Sequence, residues 1–218
     1  QVAWIRLFAV LNDIPKYPVW DRLWKAAAES AVRLGASQAV ALATQDWFLP
    51  FLKESGFQET NEVIFFKWDG NPLPNIPESR VELRKMTLED LPAVALVDQS
   101  AFDPVWALSL RSLRTAYRLS SLATVLSQGD QIIAYQMSTS SALGAHIARL
   151  AVHPDFQGMG CGRALIANAL HAFSQRGLEQ VTVNTQADNL RSQQLYRSLD
   201  FQPTGQRFSL LETQLTQL

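Results

Sequence analysis

The chain of 218 residues has a single cysteine, Cys161, three histidines and almost no net charge, with 19 basic against 20 acidic side chains. One thiol excludes an intrachain disulfide and fits a reducing compartment. A balance of −1 gives no sign of a nucleic-acid scaffold. No apolar run approaches the length of a membrane span, and no signal peptide opens the chain, so a cytoplasmic protein without nucleic-acid or membrane partners is expected. No metal site is expected. What is abundant is apolar surface, 47% of residues against 18% charged, enough to build a core. The length falls between one domain and two. Gln1 already lies inside a strand-like run, so sequence is expected upstream of it.

The most informative stretch is Leu150-Ala151-Val152-His153-Pro154-Asp155-Phe156-Gln157-Gly158-Met159-Gly160-Cys161-Gly162-Arg163. An apolar strand end runs into a glycine-rich turn, and the turn opens into a helix whose Ile166, Ala169, Leu170 and Phe173 repeat at helical spacing. Such a junction gathers unpaired N–H groups and the positive end of the helix dipole at one point, where a phosphate fits. No Lys-Ser/Thr follows the glycines, so the turn is not a P-loop. The glycine spacing differs from that of a dinucleotide fold, and the strand Gln180–Thr185 ends without an acid. A structural turn that needs glycine torsions is the alternative.

Three prolines and a glycine between Asp69 and Glu78 mark a linker, residues 69–79. Beyond it the spacing predicts a strand at Val81–Lys85 and a helix capped by Thr87. A second helix at Ala107–Leu119 follows, then a hairpin of Leu122–Leu126 with Gln131–Thr139. A strand at His146–Val152, a helix at Arg163–Arg176, a helix at Asn189–Leu199 and a strand around Arg207–Leu211 complete the pattern of a mixed α/β sandwich. Residues 1–68 run strand, helix, strand, helix, strand in the same order. Leu23, Ala27, Gly35 and Gln38 stand opposite Leu165, Ala169, Gly177 and Gln180 at constant offset.

Gln157-Gly158-Met159-Gly160-Cys161-Gly162 matches a Q/R-x-x-G-x-G/A signature, and Asn189 to Phe201 matches N-x6-Y-x4-F downstream. By these two linked motifs the chain from about Arg80 to Leu218 resembles the GNAT superfamily of acyl-CoA-dependent N-acetyltransferases. Asp200 stands where that family usually carries glycine, at a helix end where Asp tolerates a left-handed torsion. The resemblance implies a GNAT-like mixed β-sheet flanked by helices over residues 80–218. Residues 1–68 read as a degenerate half-copy of the same fold. In that half-copy Pro15-Lys16-Tyr17-Pro18-Val19-Trp20 replaces the glycine loop and Leu52 stands opposite Tyr196, so it reads as scaffold.

The function implied is transfer of the acetyl group of acetyl-CoA to a primary amine on a small molecule or peptide. A non-catalytic acyl-CoA-binding regulatory module is the alternative, and a pure interaction protein a third reading. Gln157, Gly158, Met159, Gly160, Cys161, Gly162 and Arg163 are candidates for the pyrophosphate. The resemblance implies that Leu150 and Val152 pair with the pantetheine arm as with a strand. Tyr196 is the candidate proton donor, with buried packing as its alternative, and Asn189 touches the cofactor or caps its helix. His146 aligns where some family members carry a catalytic glutamate and is the candidate base; a half-exposed strand histidine is the alternative. Phe102 and Trp106, with Asp103 and Asp98 nearby, are candidates for the acceptor side. Cys161 suits close backbone packing rather than nucleophilic attack.

Overall fold

A computed structural model describes residues 2–70, 72–75 and 81–215 of the chain, so five of the eleven residues of the expected linker 69–79 (71 and 76–79) lie outside the described residues. The fold is mixed α/β, and the chain divides into two compact units. The first comprises Gln1–Ile64, Gln186–Asp188 and Arg207–Leu218; the second comprises Phe65–Thr185 and Asn189–Gln206. A third strand, β3, runs unbroken from Gln58 to Trp68.

The first unit begins β1 (Val2–Ile5), α1 (Lys16–Arg33), β2 (Gln38–Ala43), α2 (Phe48–Glu54). β1 lies parallel to β2, and β2 pairs antiparallel with the end of β9 (Gln202–Gln214). Its core is aromatic: Trp20, Phe48 and Phe57 are buried with Leu52 and Leu211, and Trp20 meets Phe48 edge-on at 4.9 Å. Aromatic pairs of this kind add packing energy beyond their buried area.

The second unit carries β4 (Glu82–Lys85), α3 (Leu91–Ala101), α4 (Leu110–Leu119), β5 (Leu122–Gln128), β6 (Gln131–Ser141), β7 (Gly144–Val152), α5 (Cys161–Ser174), β8 (Val181–Gln186) and α6 (Leu190–Arg197). β4 to β7 form an antiparallel meander, and β7 pairs parallel with β8. α3 begins later than expected because Asp90, not Thr87, stands at its start. The Asp90 carboxylate accepts from the Thr87 N–H at 2.7 Å and is held in a fork by Arg84. α4 likewise starts at Leu110, where the Ser109 hydroxyl accepts from the Ser112 N–H. Asp200 adopts φ 63°, the left-handed torsion expected of it.

The faces of β7 face different helices. Ala151 joins Tyr135, Met137, Val94 and Leu113 under α3 and α4, whereas Leu150 and Val152 pack with Cys161, Ala164 and Leu165 of α5. Between the two units a local equivalence recurs. Ala3 pairs with Ala39 in the first unit and Ala145 with Val181 in the second, each partner standing 142 residues further along. Among the described residues no helix is long and apolar enough to cross a membrane.

Candidate active site

The sheet opens beside β7. Its ladder with β8 runs Ala145↔Val181, His146↔Thr182, Ile147↔Val183 and ends there. The His153 N–H is committed to Ile133 of β6 at 2.8 Å. Because peptide groups alternate sides along a strand, those of Leu150 and Val152 point the other way, to the edge that β8 has left. The Val152 carbonyl on this edge accepts from the Gln157 side chain at 3.0 Å.

β7 is also irregular at this point. Its partner in β6 steps from Met137↔Arg149 to Ser138↔Ile147, which leaves Ala148 as the extra residue of a bulge. Met137 and Thr139 share a face of β6, so their partners Arg149 and His146 share a face of β7 although they stand three positions apart. Without the bulge they would point to opposite faces.

The turn after β7 ends at Gly160, the residue before α5, with φ 83°; Gly158 has φ 80°. A Cβ at either position would meet no protein atom within 4 Å, so the demand for glycine is torsional rather than steric. Gly162 is different: its torsion is helical, and a Cβ there would lie 2.9 Å from Leu195 of α6. From Gly158 to Arg163 the backbone N–H groups donate to no backbone acceptor among the described residues. Two guanidinium groups flank them. Arg163 donates to the Ser198 carbonyl at 3.0 Å and Arg191 to the Gln157 side chain, and neither pairs with a carboxylate among the described residues. Met159 is 70% exposed on the turn, while Cys161 is buried, with its thiol pushed up by burial. A thiol held protonated is a poor nucleophile.

On α6, Asn189 caps the helix by accepting from the Ser192 N–H at 3.0 Å. Tyr196 is buried against the rings of Phe66 and Phe201, and burial pushes its hydroxyl up to about 12, a hydrogen bond with Ser192 acting weakly in the opposite sense. His146 is held below the ordinary imidazole value by burial, and its Nδ1 lies 2.9 Å from the Thr182 hydroxyl.

The acceptor-side candidates converge on Arg149. Its guanidinium grips Asp98 through Nε at 2.7 Å and Nη2 at 2.8 Å, donates to the Trp106 carbonyl at 2.8 Å, and lies 3.6 Å over the ring of Phe102. Asp98 also accepts from the Leu108 N–H at 2.6 Å and from the Tyr135 hydroxyl. With no exposure and these donors satisfied, Asp98 is a structural anchor and cannot greet a substrate, contrary to its expected place on the acceptor side. Asp103, in contrast, is exposed. Sequence reasoning missed Arg149 and Tyr135, because a pair 51 residues apart has no local signature.

A glycine turn rich in unspent donors closes a strand whose far edge has parted from its parallel neighbour, and it opens a helix of a mixed α/β fold. The GNAT acetyltransferase family model matches residues 91–201, half of the chain. The chain belongs to the GNAT acetyltransferase family. It is 29% identical to a mycothiol acetyltransferase of Saccharomonospora viridis over 89% of this chain, and spans 65% of that relative's length. It is 28% identical to the [ribosomal protein bS18]-alanine N-acetyltransferase of Escherichia coli over 51% of this chain and 74% of that protein. Among solved structures, a tandem GNAT protein from the clavulanic acid biosynthesis pathway superimposes with TM-score 0.70 at 16% identity, covering all of this chain and 76% of that one.

Proposed function

We propose that the chain transfers an acetyl group from acetyl-CoA to a primary amine, with the second unit carrying the chemistry. One observation carries this reading. The parted β7 edge at Leu150 and Val152 leads straight into the unspent N–H groups of Gly158 to Arg163, so a single track of backbone donors runs along the strand and ends at a helix N-terminus. A phosphorylated ligand with an amide-bearing arm suits such a track, the anion at the helix end and the arm as an added strand. Arg163 and Arg191 supply cationic charge at its mouth, and Gln157 ties Arg191 to Val152. When bound, acetyl-CoA supplies an activated acyl group on sulfur.

The remaining tasks fall to side chains at the other end. His146 lies four residues before Leu150 on β7, across the bulge at Ala148. It sits beside the last rungs of the β7–β8 ladder, on the face shared with Arg149. Being neutral near pH 7, it takes the ammonium proton of the acceptor without first losing one of its own. Tyr196 keeps its proton on Oη throughout the neutral range and releases it only to a strong base beside it, such as a departing thiolate. Arg149 fixes the segment from Phe102 to Leu108 that would present Phe102 and Trp106 to the acceptor. The alanine and the mycothiol for which the two relatives are named differ in chemistry, so the family does not select the acceptor.

Residues 1–68 are proposed as a degenerate half-copy without cofactor. Pro15 stands where Gly160 precedes its helix, and it lacks an N–H. Leu52, fully buried, occupies the place of Tyr196. Titration of the full chain with acetyl-CoA by calorimetry tests the reading: one site is expected. Thiol release with a panel of peptides, amino sugars and polyamines then separates an enzyme from a binding module. Two sites or none would overturn the assignment.

A further inference from the structure

We propose that Thr182 is a positioning residue for this reaction, selecting the imidazole tautomer of His146 in which Nδ1 carries the proton and Nε2 is the bare, basic nitrogen. The inference rests on the reading of His146 as the base. The Thr182 hydroxyl has one proton to give. Its Oγ1 lies within 3.3 Å of the Ala145 carbonyl, which can only accept, and within 2.9 Å of His146 Nδ1. If the hydroxyl donates to the carbonyl, it must accept from the ring, and the Nδ1–H tautomer follows. The ring edge opposite Thr182 then carries a lone pair.

The surroundings suit such a base. His146 lines an open cleft of about 300 Å³ with Thr139, Ser140 and Ser141 of β6 and Gln180 and Thr182 by β8. Among the described residues no charged side chain lines the cleft; burial lowers the ring's affinity for a second proton, and a hydrogen bond with the Thr182 backbone opposes it more weakly. The arrangement is also rigid. A Cβ at Gly144 would lie 2.7 Å from the Gln180 carbonyl, a close backbone approach that brings the start of β7 against β8. There Ala145 N–H donates to that carbonyl at 2.8 Å, fixing the register that sets His146 opposite Thr182.

The other two histidines serve as internal standards. His153 Nδ1 accepts from the Asp155 N–H at 3.3 Å, and His171 Nε2 lies 2.9 Å from the Pro74 carbonyl, so both hold their proton on Nε2. Nitrogen NMR of the ¹⁵N-labelled full chain, above the pH where imidazole titrates, distinguishes a bare ring nitrogen from a protonated one. His146→Gln identifies the signals of His146. Two Nε2–H rings and one Nδ1–H ring are expected. In Thr182→Val the His146 population should move toward Nε2–H by about fivefold, the equilibrium equivalent of one neutral hydrogen bond. Turnover should fall by a similar factor with acetyl-CoA affinity unchanged, and Thr182→Ser should restore both. An Nε2–H ring at His146 in an active enzyme, or an unchanged Thr182→Val, would overturn the inference. The Nδ1–H ring in a protein that acetylates no amine of the panel would instead overturn the acetyltransferase reading and leave the tautomer standing.

Discussion

Replacing Gly160 by alanine isolates what the glycine turn contributes. Gly160 has φ 83° with no neighbour within 4 Å of a Cβ, so the new methyl group meets no protein atom. Its cost is torsional, roughly 1–2 kcal/mol for an L-residue held left-handed. In a chain of this size each kcal/mol lowers the melting temperature by roughly 2–4 °C, so a fall of about 2–8 °C is expected. The turn can relieve the strain by rotating, and rotation swings the N–H groups of Gly160 and Cys161 away from the ligand. A hydrogen bond to a charged group contributes about 1.5–3 kcal/mol, so each donor lost should weaken acetyl-CoA about tenfold to a hundredfold. Gly177, at the other end of α5, has φ 73° and equally open surroundings, so Gly177→Ala carries the same strain far from the turn. Scanning calorimetry and isothermal titration on both variants separate the effects. The melting temperatures should fall alike and only Gly160→Ala should lose affinity. Equal affinity in the two variants would refute the placement of the phosphates at this turn.

The anchor beneath the acceptor-side segment should be costly to break. Arg149→Met leaves the Asp98 carboxylate buried with only Leu108 and Tyr135 as donors, which should cost about 3–5 kcal/mol and lower the melting temperature by about 10 °C; a fall under about 2 °C would refute the role. Tyr196→Phe keeps the ring among Phe66 and Phe201, so acetyl-CoA affinity should hold while turnover falls about a hundredfold; full turnover would transfer the acid role to water. Because burial lowers the folded pKa of His146, activity should be flat above pH 6.5 and lost only as pH falls through that lowered value; an acid limb above 6.5, or one that persists in His146→Gln, would exclude this ring as the base.

Features written locally were legible in the sequence. The repeat of Ile166, Ala169, Leu170 and Phe173 placed α5, and all four are buried. The glycines marked its start, and Asp200 declared the end of α6 by tolerating a torsion that few residues accept. Helix starts were less legible. The regular turns of α3 begin only at Leu91, while the Asp90 carboxylate, gripped by Arg84, accepts back from the Thr87 N–H. The bulge at Ala148 has no sequence signal at all, since alanine suits either a regular strand or an extra residue. Yet the bulge decides that His146 and Arg149 share a face, and with it which side of β7 can meet an amine.

The two halves of the chain show how little of a ladder's geometry depends on its chemistry. Ala3↔Ala39 and Ala145↔Val181 hold the same register across the same number of residues, and both following helices end alike. Ala36 donates to the Ala31 carbonyl after α1, and Leu178 to the Phe173 carbonyl after α5, with Gly35 and Gly177 left-handed between. Spacing and the closing glycines therefore suffice for the strand–helix–strand unit. The two units differ in the few residues before the helix. At Gly160 a positive φ turns a run of N–H groups outward, whereas at Pro15 φ is −59° and the N–H is missing, so α1 begins with that donor absent. Phe8, Trp20 and Phe48 then pack together in the first unit, Trp20 edge-on to both other rings. Substituting glycine at Pro15 would accordingly restore a torsion but not a site, because the rings remain.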